Sequence, residues 1–188
     1  MCGINGILYF NSFNSEKPVD FFKSNISKMN TEIAHRGPDG EGMFINYPVC
    51  FGHRRLSIID LSENGAQPMF NEDSSVVIIF NGEIYNYKEL IPGLKSKGHI
   101  FKTKSDTEVI IKSYEEYGTD CVSKFNGMWA FAIYDFKKNL FFASRDRFGV
   151  KPFYYYKDSE CFIFSSEIKA ILKIKNICLL YTSDAADE

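Results

Sequence analysis

Val76-Val77-Ile78-Ile79-Phe80, followed directly by Asn81-Gly82-Glu83-Ile84-Tyr85-Asn86, is the stretch on which the reading of the fold turns. The unbroken apolar run of β-branched and aromatic residues predicts a strand, and Asn-Gly is a strong signal for a hairpin turn at its end. Working outward, runs of the same kind recur at Ile4–Phe10, Gly42–Tyr47, Val49–Ile59, Trp129–Phe136, Leu140–Ser144, Phe153–Tyr156 and Cys161–Phe164. Between them lie two helical patterns. In Val19–Ala34 the residues Phe22, Ile26, Met29 and Ile33 recur at three- and four-residue spacing, as one helix face requires. Asp106–Tyr117 opens on an acidic N-cap, repeats Val109, Ile110, Tyr114 and Tyr117, and stops at Gly118. Tyr87–Lys97 carries Pro92 and Gly93 in its middle, which predicts a broken or short helix. Strands outnumber helices and the helices fall between groups of strands. The expectation is an α+β domain whose helices cover largely antiparallel sheets.

Composition narrows the classes. A chain of 188 residues suffices for one substantial domain and is marginal for two. A formal net charge of -2 gives no reason to expect nucleic acid or an anionic membrane as partner. No apolar run reaches the length of a membrane span, and the start lacks the basic stretch and apolar core of a signal peptide, so a cytoplasmic location is expected. The five cysteines (Cys2, Cys50, Cys121, Cys161, Cys178) are odd in number and widely spaced, against a disulfide framework. With no CxxC pair and with His35, His53 and His99 scattered, no metal site is expected. One domain is expected over residues 2–175. Residues 176–188 would be a tail, small and acidic after Leu180, either a frayed end or a sequence not native to the gene.

Cys2 stands apart because of its position. Methionine is normally cleaved when a small residue follows, which would leave a thiol and a free α-amine on one residue. The amine titrates at roughly 7.7–8.0 and a thiol near roughly 8.5, so the amine can accept the thiol proton near neutral pH without a histidine. Three other segments each have an ordinary and a chemical reading. Asn81-Gly82 is a turn, or an amide and an unobstructed N–H giving two donors to one oxygen. Arg55, in Gly52–Asp60, is solvated surface charge, or a bidentate grip for an α-carboxylate. Asp106, in Lys104–Glu108, caps a helix, or holds a substrate ammonium. Together these are the parts needed to bind and cleave an amino-acid side-chain amide.

The ordered motifs MCGI at Met1–Ile4, HRGPDG at His35–Gly40, HRRLSIIDLSENGAQPM at His53–Met69 and FNGEIYNYKEL at Phe80–Leu90 resemble those of class II glutamine amidotransferase domains. SDTEVI at Ser105–Ile110, GMWAFAIYD at Gly127–Asp135, RDRFGVKPFYY at Arg145–Tyr155 and SSEIKAI at Ser165–Ile171 extend the resemblance to about Leu172. Within the class it is nearest to the amino-terminal domain of glutamine-hydrolysing asparagine synthetases. Pro38 and the RLSIID segment set it apart from glucosamine-6-phosphate synthases.

The resemblance implies an αββα sandwich of the N-terminal-nucleophile type. It implies Cys2 as nucleophile, Asn81 and the Gly82 N–H as oxyanion hole, and Arg55 on the substrate carboxylate. Glu83 and Asp106 would face its amine, with the backbone of Leu56, Ser57, Ile58 and Ile59 completing the pocket. HRGPDG is a loop over the site or an ordinary turn; RDRFGVKPFYY is a hairpin against the core without a catalytic role. The implied reaction is hydrolysis of L-glutamine, with no cofactor in this domain. Ammonia would pass to a synthetase domain outside this chain, where ATP and Mg are expected, in an enzyme that is a homodimer at full length. A different ammonia acceptor, an N-terminal-nucleophile hydrolase for another amide, and a non-catalytic paralogue are the alternatives.

Overall fold

The computed structural model describes residues 1–10 and 16–176. The tail expected at 176–188 lies, from 177 onward, outside the described residues. Two antiparallel sheets form the body. One has five strands in the order β2-β3-β1-β9-β8: β1 Gly3–Tyr9, β2 Gly40–Asn46, β3 Val49–Arg55, β8 Tyr154–Lys157 and β9 Cys161–Ser165. The other has four in the order β4-β5-β6-β7: β4 Met69–Phe70, β5 Val76–Ile84, β6 Gly127–Asp135 and β7 Leu140–Arg145.

Strand alternation sorts the apolar residues into layers. Ile4, Val49, Phe51, Val77, Ile79, Ala130, Ala132, Tyr134 and Phe164 meet between the two sheets. On the outer face of the five-stranded sheet, Ile7, Tyr9, Cys50 and Ile163 pack against α1 (Val19–Glu32) and α4 (Ile168–Leu172). On the outer face of the other sheet, Ile78, Phe80, Phe131 and Ile133 pack against Ile110, Ile111 and Tyr114 of α3 (Asp106–Tyr117), with Leu90 of α2 (Tyr87–Ser96) alongside. The result is the four-layer αββα sandwich, helices outside and two sheets within.

α1 buries Phe22, Ile26 and Met29, the face its spacing predicts. Three expectations need correction. The run from Val49 leaves the sheet at Arg55, short of Ile59, because its partners end there: Gly40 of β2 faces Arg55 and Gly3 of β1 faces Arg54. The strand from Val76 does not turn at Asn81-Gly82. It continues to Ile84, with Asn81 opposite Ala130 and Gly82 opposite Trp129. Finally, α2 runs through Pro92 unbroken. Pro92 and Gly93 are exposed, so the carbonyl deprived of its partner faces water, while Leu94 is buried and Tyr87 and Leu90 pack against the core. Anchoring of that face outweighs the proline penalty.

Pro92 therefore remains a local cost. Pro92→Ala should stabilise the chain by about 1–2 kcal/mol, the helix gain being partly offset by a freer unfolded chain. A denaturant midpoint that did not rise would show that the helix has fully adapted to its proline.

Candidate active site

β1 carries the chain's start into the molecule. It lies between β3 and β9, and its first residues are pinned on both sides. The Ile4 N–H donates to Ser166 Oγ at 3.0 Å, and the Ser166 N–H donates to the Ile4 carbonyl at 2.8 Å. Arg36 Nε donates to the Cys2 carbonyl at 3.1 Å, and its Nη1 pairs with Glu167 at 3.0 Å. Because Gly3 pairs with Arg54, Cys2 falls beside the point where the chain leaves β3, and the Leu56 N–H reaches its Sγ at 3.4 Å. Burial pushes the Cys2 thiol above its usual range; the Leu56 N–H, the amino terminus, Arg55 and Lys151 pull it back.

Every residue singled out for the site lines one cleft: Cys2, Arg55, Leu56, Ser57, Ile58, Ile59, Asn81, Gly82, Glu83 and Asp106. Asn81 is 1 % exposed, and its Nδ2 has no hydrogen-bond partner among the described residues. A buried amide donor left unpaired is costly, so it marks a place built for an acceptor. Gly82 has no room for a side chain, since a Cβ there would lie 2.2 Å from the Met128 carbonyl oxygen and 2.8 Å from Trp129 Cα. Close strand packing requires that glycine, a different reason from the turn geometry its Asn-Gly context suggests.

The candidate binding groups sit on three separate segments. Arg55 Nη2 donates to the carbonyls of Asp60 and Ser62, at 2.9 Å for the latter, which fixes the guanidinium and curls residues 56–62 around it. Its Nε and Nη1 have no hydrogen-bond partner among the described residues and remain open to a carboxylate. Asp106 is not the helix cap. Ser105 is, accepting from the Thr107 N–H at 3.2 Å in extended backbone geometry. That frees the Asp106 carboxylate, in the first turn, to accept from the Ile84 N–H at 3.0 Å. Burial pushes the Asp106 carboxyl up to about 6, with nearby Glu83 adding to the rise and backbone donors opposing it.

HRGPDG does not line the cleft; it supports it from behind. The Ser57 N–H donates to Asp39 at 2.8 Å, and the Asp39 N–H donates to the Arg55 carbonyl at 3.0 Å. Sequence reasoning missed four contributors. Gln67 ties the cleft wall together, accepting from the Phe80 N–H at 2.6 Å and donating to Thr107 at 3.3 Å. His53, fully buried in the lining, is held neutral by desolvation with its pKa lowered to about 3. Asp60 lines the mouth. Lys151, from the segment read as a plain hairpin, also faces in. Their only signal was membership of the ordered motifs, since none has a spacing that points to chemistry.

The model of the glutamine amidotransferase domain matches residues 1–188. The chain belongs to that family. It is 52% identical, over 94% of its length, to a Methanocaldococcus jannaschii protein whose name assigns it provisionally as a glutamine-hydrolysing asparagine synthetase, of which it covers 36%. It is 45% identical, over 92% of its length, to glutamine-hydrolysing asparagine synthetase 3 of Bacillus subtilis, of which it covers 27%. The chain thus spans about a third or less of the curated relatives it matches. Among solved structures, the glutamine phosphoribosylpyrophosphate amidotransferase of B. subtilis superposes with a TM-score of 0.69 at 20% identity, over 90% of this chain and 43% of that one. That likeness establishes the shared fold, two antiparallel sheets between helical layers.

Asp106 makes the amidotransferase cleft a source of instability. A carboxyl raised from 3.8 to about 6 stabilises the fold below its unfolded pKa and loses that contribution as pH rises through about 6, a difference of ~3 kcal/mol. Asp106→Asn keeps an acceptor for the Ile84 N–H without the charge. Its Tm should exceed that of the parent by several degrees at pH 8, the gap closing as pH falls toward 4. Equal melting curves at pH 8 would mean the carboxylate is stabilised by groups other than those named.

Proposed function

We propose that this chain is the glutaminase portion of an asparagine-synthetase-like enzyme, converting L-glutamine to glutamate and ammonia. The observation that carries the reading is the unpartnered Asn81 amide in the cleft that holds Cys2, Arg55 and Asp106. A buried, unpaired donor in the same cleft as a thiol suits an oxyanion that exists only during reaction.

In this reading Met1 is removed and the free α-amine of Cys2 takes the thiol proton. Sγ attacks the side-chain carbonyl carbon of glutamine, and the negative oxygen rests on Asn81 Nδ2 and the Gly82 N–H. Arg55 binds the α-carboxylate through its open N–H groups. Asp106 and Glu83 bind the α-ammonium, while the backbone of Leu56, Ser57, Ile58 and Ile59 walls the substrate in. The amine passes its proton to the leaving nitrogen, the C–N bond breaks, and ammonia departs from a glutamyl thioester on Cys2. Water, deprotonated by the same amine, then attacks the thioester carbonyl. Glutamate leaves and the thiol regains its proton.

The names of the relatives support aspartate as the ammonia acceptor, activated by ATP and Mg in a synthetase portion beyond this chain. A homodimer of the full-length enzyme and a cytoplasmic location belong to the same reading. Among the described residues no helix is long and apolar enough to cross a membrane.

Asn81→Ala should lower kcat for glutamine hydrolysis by about 100- to 1,000-fold with little change in Tm, and Cys2 should still be alkylated by a glutamine-like chloroketone. Near-parental kcat in well-folded Asn81→Ala would move the oxyanion hole elsewhere. Intact mass should also show Met1 absent from active protein. Full activity with Met1 retained would remove the α-amine from the mechanism.

A further inference from the structure

Lys151 lies in the segment between β7 and β8, and its backbone is fixed from two sides. Asp146 spends its carboxylate on backbone alone: Oδ1 accepts from the N–H groups of Phe148 at 3.1 Å and Val150 at 2.9 Å, and Oδ2 from those of Lys151 at 3.0 Å and Trp129 at 3.3 Å. Arg145 holds the other side, Nε donating to the Lys151 carbonyl at 2.6 Å and Nη2 to the Gly149 carbonyl at 2.5 Å. Gly149 takes a φ of +64°, which lets the loop fold back on itself. This anchoring directs the lysine side chain, 5 % exposed, into the cleft. There its Nζ meets Met1 Sδ at 3.1 Å, and among the described residues no carboxylate comes within ion-pair distance of it.

An ammonium without a carboxylate partner is unusual inside a protein, and its location narrows what it can do. The residue it touches is the one whose removal creates the Cys2 amine. Of the other cations near Cys2, Arg36 pairs with Glu167 at 3.0 Å, and Arg55 is anchored through Nη2 to the carbonyls of Asp60 and Ser62, its remaining N–H groups being left for a substrate carboxylate. We propose that Lys151 is a positioning residue of the glutaminase centre, a fixed cation that keeps the newly exposed Cys2 α-amine unprotonated and favours the thiolate beside it. The proposal rests on the glutaminase reading only for the reaction it serves. Like charge disfavours a second ammonium nearby, so the amine is driven toward its free-base form, as a general base requires.

The remaining charges around the pair come from every wall of the cleft. Arg36, from the turn after α1, and Arg55, at the end of β3, act in the same sense as Lys151. Glu83 of β5, Asp106 of α3 and Asp60 of the 56–62 loop oppose it. His53 is neutral, and Asp146 is saturated by its four N–H donors. Burial lowers the Lys151 pKa, while Glu83 and Cys2 favour its charged form.

The test uses the chain with Met1 loss verified by intact mass, and reads the pH dependence of Cys2 alkylation by iodoacetamide. In Lys151→Met and Lys151→Gln the alkylation midpoint should move up by about one pH unit, and Lys151→Arg should restore it toward the parent. The acid limb of kcat/KM for glutamine should move with it. An unmoved midpoint in either folded neutral variant would overturn the proposal, as would a raised KM with no shift in pH profile, which would make Lys151 a substrate contact. If both neutral variants fail to fold while Lys151→Arg folds, Lys151 is a structural cation and the proposal falls. Absence of glutamine hydrolysis in the parent would sink the glutaminase reading alone, because alkylation needs no glutamine and would still decide the role of Lys151.

Discussion

The structure depends on β1 being an interior strand. A chain start is ordinarily free to fray, yet here it is bonded along both edges, to β3 on one side and β9 on the other. Register does the rest. With Gly3 opposite Arg54, the second residue has one place to be, and that place is next to the first backbone group released from β3. A slip of one residue would turn Cys2 to the opposite face of the sheet. The placement of Cys2 is thus a property of sheet pairing, and it is as robust as the core that the pairing builds.

Around that fixed point the cleft collects groups that would cost stability anywhere else. Asn81 keeps a donor unpaired, Asp106 is buried with its carboxyl pushed up to about 6, and His53 is buried with a pKa near 3. None of these is repaid locally. They persist because the strands on which two of them sit are set in the apolar layer between the sheets and in the layer beneath α3. The backing is polar as well as apolar. Arg36, Asp39 and Gln67 each hold a backbone group of the cleft wall, so the wall is stiff without its lining being used up.

Much of this was legible in the sequence, because strong local signals and the tertiary answer agree. The bounds of α3 coincide with its apolar repeat, and α1 buries the face that the spacing selects. Where they disagreed, a longer-range constraint prevailed. Asn-Gly is turn chemistry in isolation, but across from Ala130 and Trp129 the glycine answers a demand for space that no local rule contains. The cap of α3 passed from Asp106 to Ser105, one residue earlier, for a reason visible only once β5 supplies the Ile84 N–H. α2 tolerates Pro92 because of what lies under Leu94. Lys151 could not have been found by periodicity or spacing at all. Its place in the cleft is set by Asp146 and Arg145 folding a loop back across the sheet.

Met1 lies at the cleft, against Lys151, at the end of a strand held between two neighbours. This has a practical side. Any affinity tag, reporter or leader fused ahead of residue 2 would start at the cleft that holds Cys2, Asn81 and Asp106, and would crowd it even with every lining residue intact. Purification handles and labels belong at the other end of the chain, and a preparation that is well folded yet inert should first be suspected of carrying residues that the ribosome added and nothing removed.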